Sequence, residues 1–364
     1  MDFACHLPLN SLSFGQCSTA LLREIHIRGY QPAIFPIGNQ VDLTTQRIDQ
    51  EFANWLNACI GKSLKTHSRK TPVLKLWHLQ GSLESVSDRQ VLFTFYECDS
   101  PTREELNTAR NNVKVIVSSR FAKGVFEDFG AKNIEYVPLG FDKYNFYKKE
   151  KQFFIDDRIS FGVVGKFEKR KGHAKLIRAW KKKFGGSTKY FLNCAIWNQF
   201  VQPPEANHNI WGQIVENQKP VNIEFYGFMP TNEAYNDFLN SNDIIIGMSG
   251  GEGFGLPEFH SVALGKHAVI LNAHSYKDWA NEGNAVLVNP TGKFPAEDGM
   301  FFHKGAPYNQ GNFFDFDADE FVAACEAAIQ RVEANRLNEA GVRLQTEFSY
   351  SRTADEVLKI VKGV

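Results

Sequence analysis

Lysines, glycines and one glutamate at strand-to-helix turns are the residues of this chain whose spacing points to chemistry. In Phe161 to Gly172, FGVVGKFEKRKG, an apolar run that reads as a strand enters a turn carrying Lys166 and Lys171, and a helical pattern follows. Open parallel α/β sheets bind ligands at the carboxyl ends of their strands, where two ammonium groups would neutralise a diphosphate. A solvated basic face is the alternative, and it is the reading given to Lys175, Arg178 and Lys181 to Lys183 on the following helix.

A second turn, in Asp243 to Leu264 (DIIIGMSGGEGFGLPEFHSVAL), joins a buried strand to a helix through Gly250, Gly251, Gly253 and Gly255. Such glycines leave backbone N–H groups uncovered beside a helix N-terminus, whose dipole favours an anion such as a diphosphate. Glu252 stands among them. A carboxylate in that setting is expected to face hydroxyl groups, as a sugar would supply, rather than a second anion. The alternative is steric, since glycines also let a strand and a helix pack closely. A third stretch, Ser13 to Gly29 (SFGQCSTALLREIHIRG), sets a loop with Gly15 ahead of an amphipathic helix that ends at Gly29, and it reads equally as helix entry near a cleft or as a plain loop and helix.

The elements that must hold these turns follow from the apolar periodicity. Strands are predicted at Gln31 to Ile37, Val91 to Tyr96 and Val113 to Val117, with a helix at Ile48 to Cys59. A second series has strands at Ile159 to Val164, Tyr190 to Ile196, Ile223 to Tyr226, Asp243 to Met248 and Ala268 to Leu271, with helices near His173 to Lys183 and Glu233 to Asn240. Alternation of this kind means βαβ units and two parallel-sheet α/β domains. The polar, aperiodic stretch Phe141 to Asp157 is the predicted linker, so the domains are placed at 1–150 and 151–348. The tail is helical in pattern from Asp317, and Thr353 to Val361 opens a last amphipathic helix.

Bulk composition agrees with two folded domains. The 364 residues are 43% apolar and 23% charged, and 41 Lys plus Arg balance 41 Asp plus Glu. No net field drives the chain onto nucleic acid or anionic lipid. Six cysteines, Cys5, Cys17, Cys59, Cys98, Cys194 and Cys325, show neither C-x-x-C nor metal-ligand spacing, so reduced intracellular thiols are expected. The start MDFACHLPLN lacks a signal-peptide pattern and no apolar run is long enough to span a bilayer. The expectation is a cytoplasmic protein without an integral membrane segment, in the host cytoplasm if viral.

Taken in order, the three turns resemble the retaining glycosyltransferases of the large family related to sucrose synthases and bacterial mannosyl- and glucosyltransferases. That family has two Rossmann-like domains facing across a cleft, the GT-B arrangement, with the acceptor domain first and the donor domain second, and a last helix that crosses back onto the first domain, which here implies that 349–364 joins 1–150. Its G-R-x-x-x-x-K-G stretch, whose Arg and Lys bind the donor diphosphate, is similar to Gly165, Lys166, Lys171 and Gly172, with Lys in place of Arg. Its E-G-F-G-L-P-x-x-E-A-x-A-x-G block is similar to Glu252 through Gly265. The resemblance implies that Glu252 contacts the transferred sugar and that Gly15, Phe254, Leu256 and His260 belong to the donor site with the glycines. Where the family has its second acid, on the ribose hydroxyls, this chain has His260, and Glu258 lies two residues early on a different helical face.

Weaker echoes are VIVSSRFAKGVFEDFG (Val115 to Gly130), VPLGFD (Val137 to Asp142) and FSYSRTADEVLKIV (Phe348 to Val361). FTFYECDSP (Phe93 to Pro101) looks like a cleft-wall stretch of the acceptor domain, which makes Glu97 and Asp99 acceptor-side candidates, and His78 is set against the family's acceptor-side histidine. Each also reads as structural: a strand end, a turn Asp, a packed His. The implied reaction moves a sugar from a UDP- or GDP-linked donor to a hydroxyl with retention of configuration, using the nucleotide sugar as co-substrate and neither a cofactor nor a metal. The acceptor is left open among carbohydrate, lipid and modified DNA, because the Gly-rich wording also looks like bacteriophage glycosyltransferases that act on hydroxymethylated pyrimidines. In that reading Lys62, Lys65, Arg69, Lys70 and Lys75 of KSLKTHSRKTPVLKLW contact phosphates, against an exposed loop as the alternative. A catalytically inactive sugar-nucleotide-binding protein is the competing class.

Overall fold

The computed structural model describes residues 3–149 and 158–364, so part of the expected linker, residues 150–157, lies outside the described residues. Two compact units divide the chain. One comprises Met1–Asn145, Gly305–Gly311 and Thr346–Val364, and the other Phe146–Lys304 and Asn312–Gln345.

The first unit holds six parallel strands: β1 (Ala4–Leu9), β2 (Ala33–Val41), β3 (Val73–Leu76), β4 (Gln90–Thr94), β5 (Lys114–Val117) and β6 (Ile134–Tyr136), in the order β2-β1-β3-β4-β5-β6. The order reverses between β1 and β3, and such reversals leave a crevice at the carboxyl ends of the strands. Neither β1 nor β3 is evident in the sequence, because His6, Pro8 and Lys75 interrupt their apolar runs. Yet Lys75 is 1% exposed, and its ammonium group donates to the carbonyl oxygens of Gly81 and Glu84. It is therefore removed from the phosphate-contact candidates, and the segment around it is no loop. Lys62 lies on the helix Gln50–Thr66 and donates to the Gln31 carbonyl at 3.1 Å, while Arg69 pairs with Asp88 at 3.0 Å.

The helix expected after Gly15 includes it: the span is Ser13–Ile27, and Gly29 beyond its end takes φ 74°. Gly15 is required by crowding, since a Cβ there would sit 2.2 Å from the Asn10 carbonyl oxygen. The closing helix, Tyr350–Lys362, belongs to this unit. Its start is pressed against Gly140, where a Cβ would lie 2.1 Å from Tyr350 N, and Thr353 Oγ1 donates to the Pro138 carbonyl at 2.8 Å. Gly305–Gly311 joins the unit on the helix Arg103–Arg110, with Thr102 Oγ1 donating to the Pro307 carbonyl at 2.6 Å and Asn309 N to Glu105 Oε1 at 2.8 Å. Nothing in the sequence announced that excursion.

The second unit holds β7 (Ile159–Val164), β8 (Tyr190–Ala195), β9 (Ile223–Phe225), β10 (Ile244–Gly247), β11 (His267–Leu271) and β12 (Val286–Val288), all parallel, in the order β12-β11-β10-β7-β8-β9. Ile244, Ile245 and Ile246 are buried on both sheet faces, as an unbroken β-branched run in a covered parallel sheet should be. The first strand of this unit, β7, adjoins its fourth, β10. That is the reversal point of a Rossmann-type sheet, where ligands bind beyond the strand ends. An antiparallel ribbon of β13 (Pro290–Pro295) and β14 (Asn312–Phe316) completes the unit. Among the described residues no helix is long and apolar enough to cross a membrane, and all six cysteines are buried and unpaired with one another.

Candidate functional site

Both charged turns leave the sheet at the β7/β10 reversal. β7 ends at Val164 and opens into Gly165, whose φ of 111° places it where a side chain is strained. Lys171 packs over it, with Nζ 3.3 Å from where a Cβ would stand. The chain then makes a single turn, Lys169–Lys171, and enters the helix His173–Phe184 through Gly172 at φ 65°. β10 ends at Gly247, and the Gly-rich turn leads through Gly255, at φ 80°, into the helix Leu256–Ala263.

The two turns meet through charge. Glu252 Oε1 accepts from Lys171 Nζ at 2.5 Å and from Arg170 at 2.8 Å. Arg170 also donates to Glu168 Oε2 at 2.7 Å, and Lys166 reaches Glu168 Oε1 at 2.8 Å. Glu168, Arg170, Lys171 and Glu252 are all buried; the Lys166 side chain, at 38% exposure, is the solvent-facing member. Lys166 Nζ stands 4.3 Å from the Phe301 ring centre and 5.1 Å from that of Phe200. Burial by itself would raise the Glu252 carboxyl, but the Arg170 and Lys171 charges override it and hold it well below the usual carboxylate range. Glu168, buried beside Arg170 and Lys166, is pulled down to about 2. Lys171 is likewise kept charged: burial opposes the ammonium and Glu252 restores it. Three cations thus face two ionised carboxylates, and the surplus is positive.

The Gly-rich turn is built differently from the uncovered set of amides that its spacing suggested. Gly250 N–H donates to the Arg170 carbonyl at 2.7 Å, and its carbonyl accepts from Phe314 N at 2.9 Å. A Cβ on Gly250 would sit 2.2 Å from the Phe314 oxygen. Gly250 is therefore a close-packing glycine whose N–H is already used, and the steric alternative holds for it. Gly251 supplies a carbonyl to Ser249 Oγ at 3.1 Å, and Gly253 is buried beside Phe254. Phe254 is a core residue, 5.0 Å from the Phe259 ring, with its carbonyl accepting from Trp279 Nε1 at 2.9 Å. Leu256 opens the helix at half-burial. His260 is buried under Phe146, their ring centres 4.2 Å apart, and burial lowers its pKa to about 3, so the imidazole is neutral.

Sequence reading missed four members of this neighbourhood. Arg170 and Glu168 were hidden inside a charge run that reads as surface; the alternation of Glu168 with Arg170 and Lys171 was their one signal. His274, after β11, has φ 39° and donates from Nε2 to the Ser249 carbonyl at 2.7 Å, bracing the turn from beneath. Burial lowers its pKa to about 4, consistent with a neutral ring in that role. The fourth is Glu258, which the sequence reading named but set aside on a different helical face, and which is 2% exposed.

The remaining candidates lie in the first unit, at the carboxyl ends of β1, β3 and β4. Gly15 follows β1. His78 follows β3, exposed, with its ring 4.5 Å from Phe14, and Phe14 stacks on Phe95 at 4.4 Å. Glu97 and Asp99 follow β4 and are half-buried. Gly311 is packed against Asp99, with a Cβ position 2.7 Å from Asp99 Oδ1.

No family model matches the chain, and no curated protein matches it. Solved structures do. A sucrose-phosphate synthase from Thermosynechococcus elongatus is similar at 15% identity and TM-score 0.69, over 100% of this chain and 99% of that one. Anabaena HepE in complex with UDP and glucose is similar at 13% identity and TM-score 0.69, over 100% of both chains. A UDP-forming α,α-trehalose-phosphate synthase from Burkholderia xenovorans is similar at 13% identity and TM-score 0.67, over 100% and 99%. The chain therefore has the GT-B fold, two Rossmann-like units of parallel six-stranded sheet, across its full length.

Proposed function

We propose that this protein is a glycosyltransferase that moves a sugar from a nucleoside-diphosphate donor to an acceptor hydroxyl with retention of anomeric configuration. The observation that carries the proposal is the buried Lys171–Glu252–Arg170 cluster at the β7/β10 reversal, open to solvent through Lys166. Ion pairs of this depth are weak sources of stability, because desolvation offsets much of the attraction. Their cost is understandable where a site needs cations held ready for an anion. A diphosphate entering beside Lys166 would take over Arg170 and Lys171 and release Glu252 toward the sugar hydroxyls. Charge that develops on the departing diphosphate is then met by groups already in place, which avoids reorganisation as the bond breaks. The UDP and glucose in complex with Anabaena HepE support a donor of the same chemistry.

The acceptor is proposed to be a carbohydrate or lipid hydroxyl rather than a hydroxymethylated pyrimidine in DNA. Of the basic segment offered for DNA, Lys75 is buried and Lys62 and Arg69 are engaged within the protein. The test incubates the protein with UDP-glucose, GDP-mannose and related donors, with and without hydroxymethylated duplex DNA, and follows nucleoside diphosphate release. Slow release without DNA supports the proposal, and release only with the modified DNA replaces its acceptor. Binding without any release identifies a sugar-nucleotide-binding protein, while neither binding nor release overturns the reading.

A further inference from the structure

Two loops of separate origin each turn an aromatic ring toward Lys166. The first follows β8 and carries Phe200. Two buried asparagines knot it: Asn198 N donates to Asn207 Oδ1 at 2.9 Å, Asn207 Nδ2 returns to the Asn198 carbonyl at 3.1 Å, and Phe200 N donates to Asn198 Oδ1 at 3.0 Å. Asn198 Nδ2 also donates to the carbonyl of Phe167, the residue after Lys166, at 2.9 Å, so the loop is tied to the Lys166 turn itself. The second loop follows β13 and carries Phe301. There Asp298 Oδ1 accepts from the N–H groups of Met300, Phe301 and Phe302 at 2.8, 2.9 and 2.9 Å, and Phe302 anchors the loop in the core against Phe313, ring centres 4.9 Å apart. The Phe200 and Phe301 rings meet edge to face at 88°, their centres 5.2 Å apart.

Each loop thus fixes its backbone with polar side chains and then presents apolar surface beside a charge. Phe200 is 43% exposed. Water is a poor neighbour for a phenyl ring held in this way. Steadying the lysine needs only one ring, and Phe301 already lies nearer to Lys166 Nζ, at 4.3 Å against 5.1 Å for Phe200. Phe200 is therefore the surplus ring. A ligand that uses it together with the cations must carry a polyanion and, beside it, a flat π surface. A sugar phosphate or inorganic pyrophosphate has only the first, while a nucleoside diphosphate has both. We propose, resting on the donor-site reading above, that Phe200 is the platform on which the donor's nucleobase stacks, with Phe301 steadying Lys166 at the diphosphate. A ring face offers area and no pattern of hydrogen-bond donors and acceptors, and every base has a π face, so such a platform selects for a base without selecting which one. Uridine and guanosine diphosphates are both taken.

The experiment measures, by calorimetry, the affinity of the unaltered protein, of Phe200→Ala and of Phe200→Tyr for UDP, GDP and inorganic pyrophosphate. In Phe200→Ala the affinity for UDP and GDP is expected to fall by about tenfold or more, as when a stacking ring is taken from a base, while pyrophosphate binds as before. Phe200→Tyr is expected to restore both nucleotides, and in the unaltered protein UDP and GDP are expected to lie within about tenfold of each other. Pyrophosphate also checks that the variants are folded, because it reads the cation cluster alone. A loss shared equally by pyrophosphate, or nucleotide affinities that ignore Phe200, would overturn the proposal. So would a preference of about a hundredfold for one base, which requires its edges to be read by hydrogen bonds. If neither the nucleotides nor pyrophosphate bind the unaltered protein, the donor-site reading fails and takes this proposal with it. Pyrophosphate that binds as tightly as UDP overturns the platform and leaves that reading standing.

Discussion

Replacing Glu252 by Gln tests the charge cluster most directly. The change keeps the size of the side chain and removes its charge, leaving Lys171 and Arg170, which approach Oε1 at 2.5 and 2.8 Å, short of an anion. Arg170 retains Glu168 at 2.7 Å, so Lys171 bears most of the loss. Removing one partner of a buried ion pair costs about 3–5 kcal/mol, because the other charge stays desolvated. For a unit of this size that lowers the thermal midpoint by about 6–20 °C. The same substitution deletes the carboxylate that a diphosphate must displace. UDP should therefore bind Glu252→Gln more tightly, on the order of tenfold for each 1.4 kcal/mol of competition removed. The assay is thermal unfolding with and without excess UDP, since a ligand that binds only the folded state raises the midpoint through its affinity. The expected result is a lower midpoint without UDP and a larger UDP-induced rise than in the unaltered protein. An unchanged midpoint, or a UDP response no greater than before, would refute the reasoning that the pair is both buried and poised for exchange.

Gly250→Ala should destabilise the second unit severely, with loss of soluble protein, since its Cβ would meet the Phe314 oxygen at 2.2 Å; Gly292→Ala, with nothing within 4 Å, should unfold like the unaltered protein. Glu168, at about 2 in the folded protein against 4.5 in its ordinary state, contributes stability that is present above pH about 4.5 and lost as pH falls towards 2. Denaturant unfolding between pH 3 and 6 should show that slope, and Arg170→Met should flatten it. Lys75→Met should leave affinity for duplex DNA unchanged at low salt, because the ammonium is spent on the Gly81 and Glu84 carbonyls; a drop in affinity would return the segment to the surface. His274→Ala should weaken UDP binding without touching any ligand, by freeing the Ser249 carbonyl and loosening the turn.

Much of the fold was written in local pattern. The run Ile159 to Val164 is a strand with the bounds expected, and the helix after it starts at His173 as expected, because the mostly apolar ISFGVV, set between Arg158 and the turn at Gly165, has the length and composition of a buried parallel strand. The candidate site was legible to the extent that chemistry follows the chain: Lys166, Lys171 and Glu252 stand on turns that glycine spacing marks by itself. What depends on contact across the sheet was not legible. Lys75 reads as a surface cation, and only the folding of Gly81 and Glu84 over its ammonium makes a central strand of its segment. Arg170 and Glu168 read as a solvated run until Glu252, more than eighty residues on, turns them into a buried network. The Gly250 amide looked available until Arg170 claimed it. Burial and partnership between distant segments are properties of the tertiary structure, and they set the charge state of this site. A linear pattern states which groups are present at each turn, while the low-dielectric interior decides which of them stay ionised and which stay free.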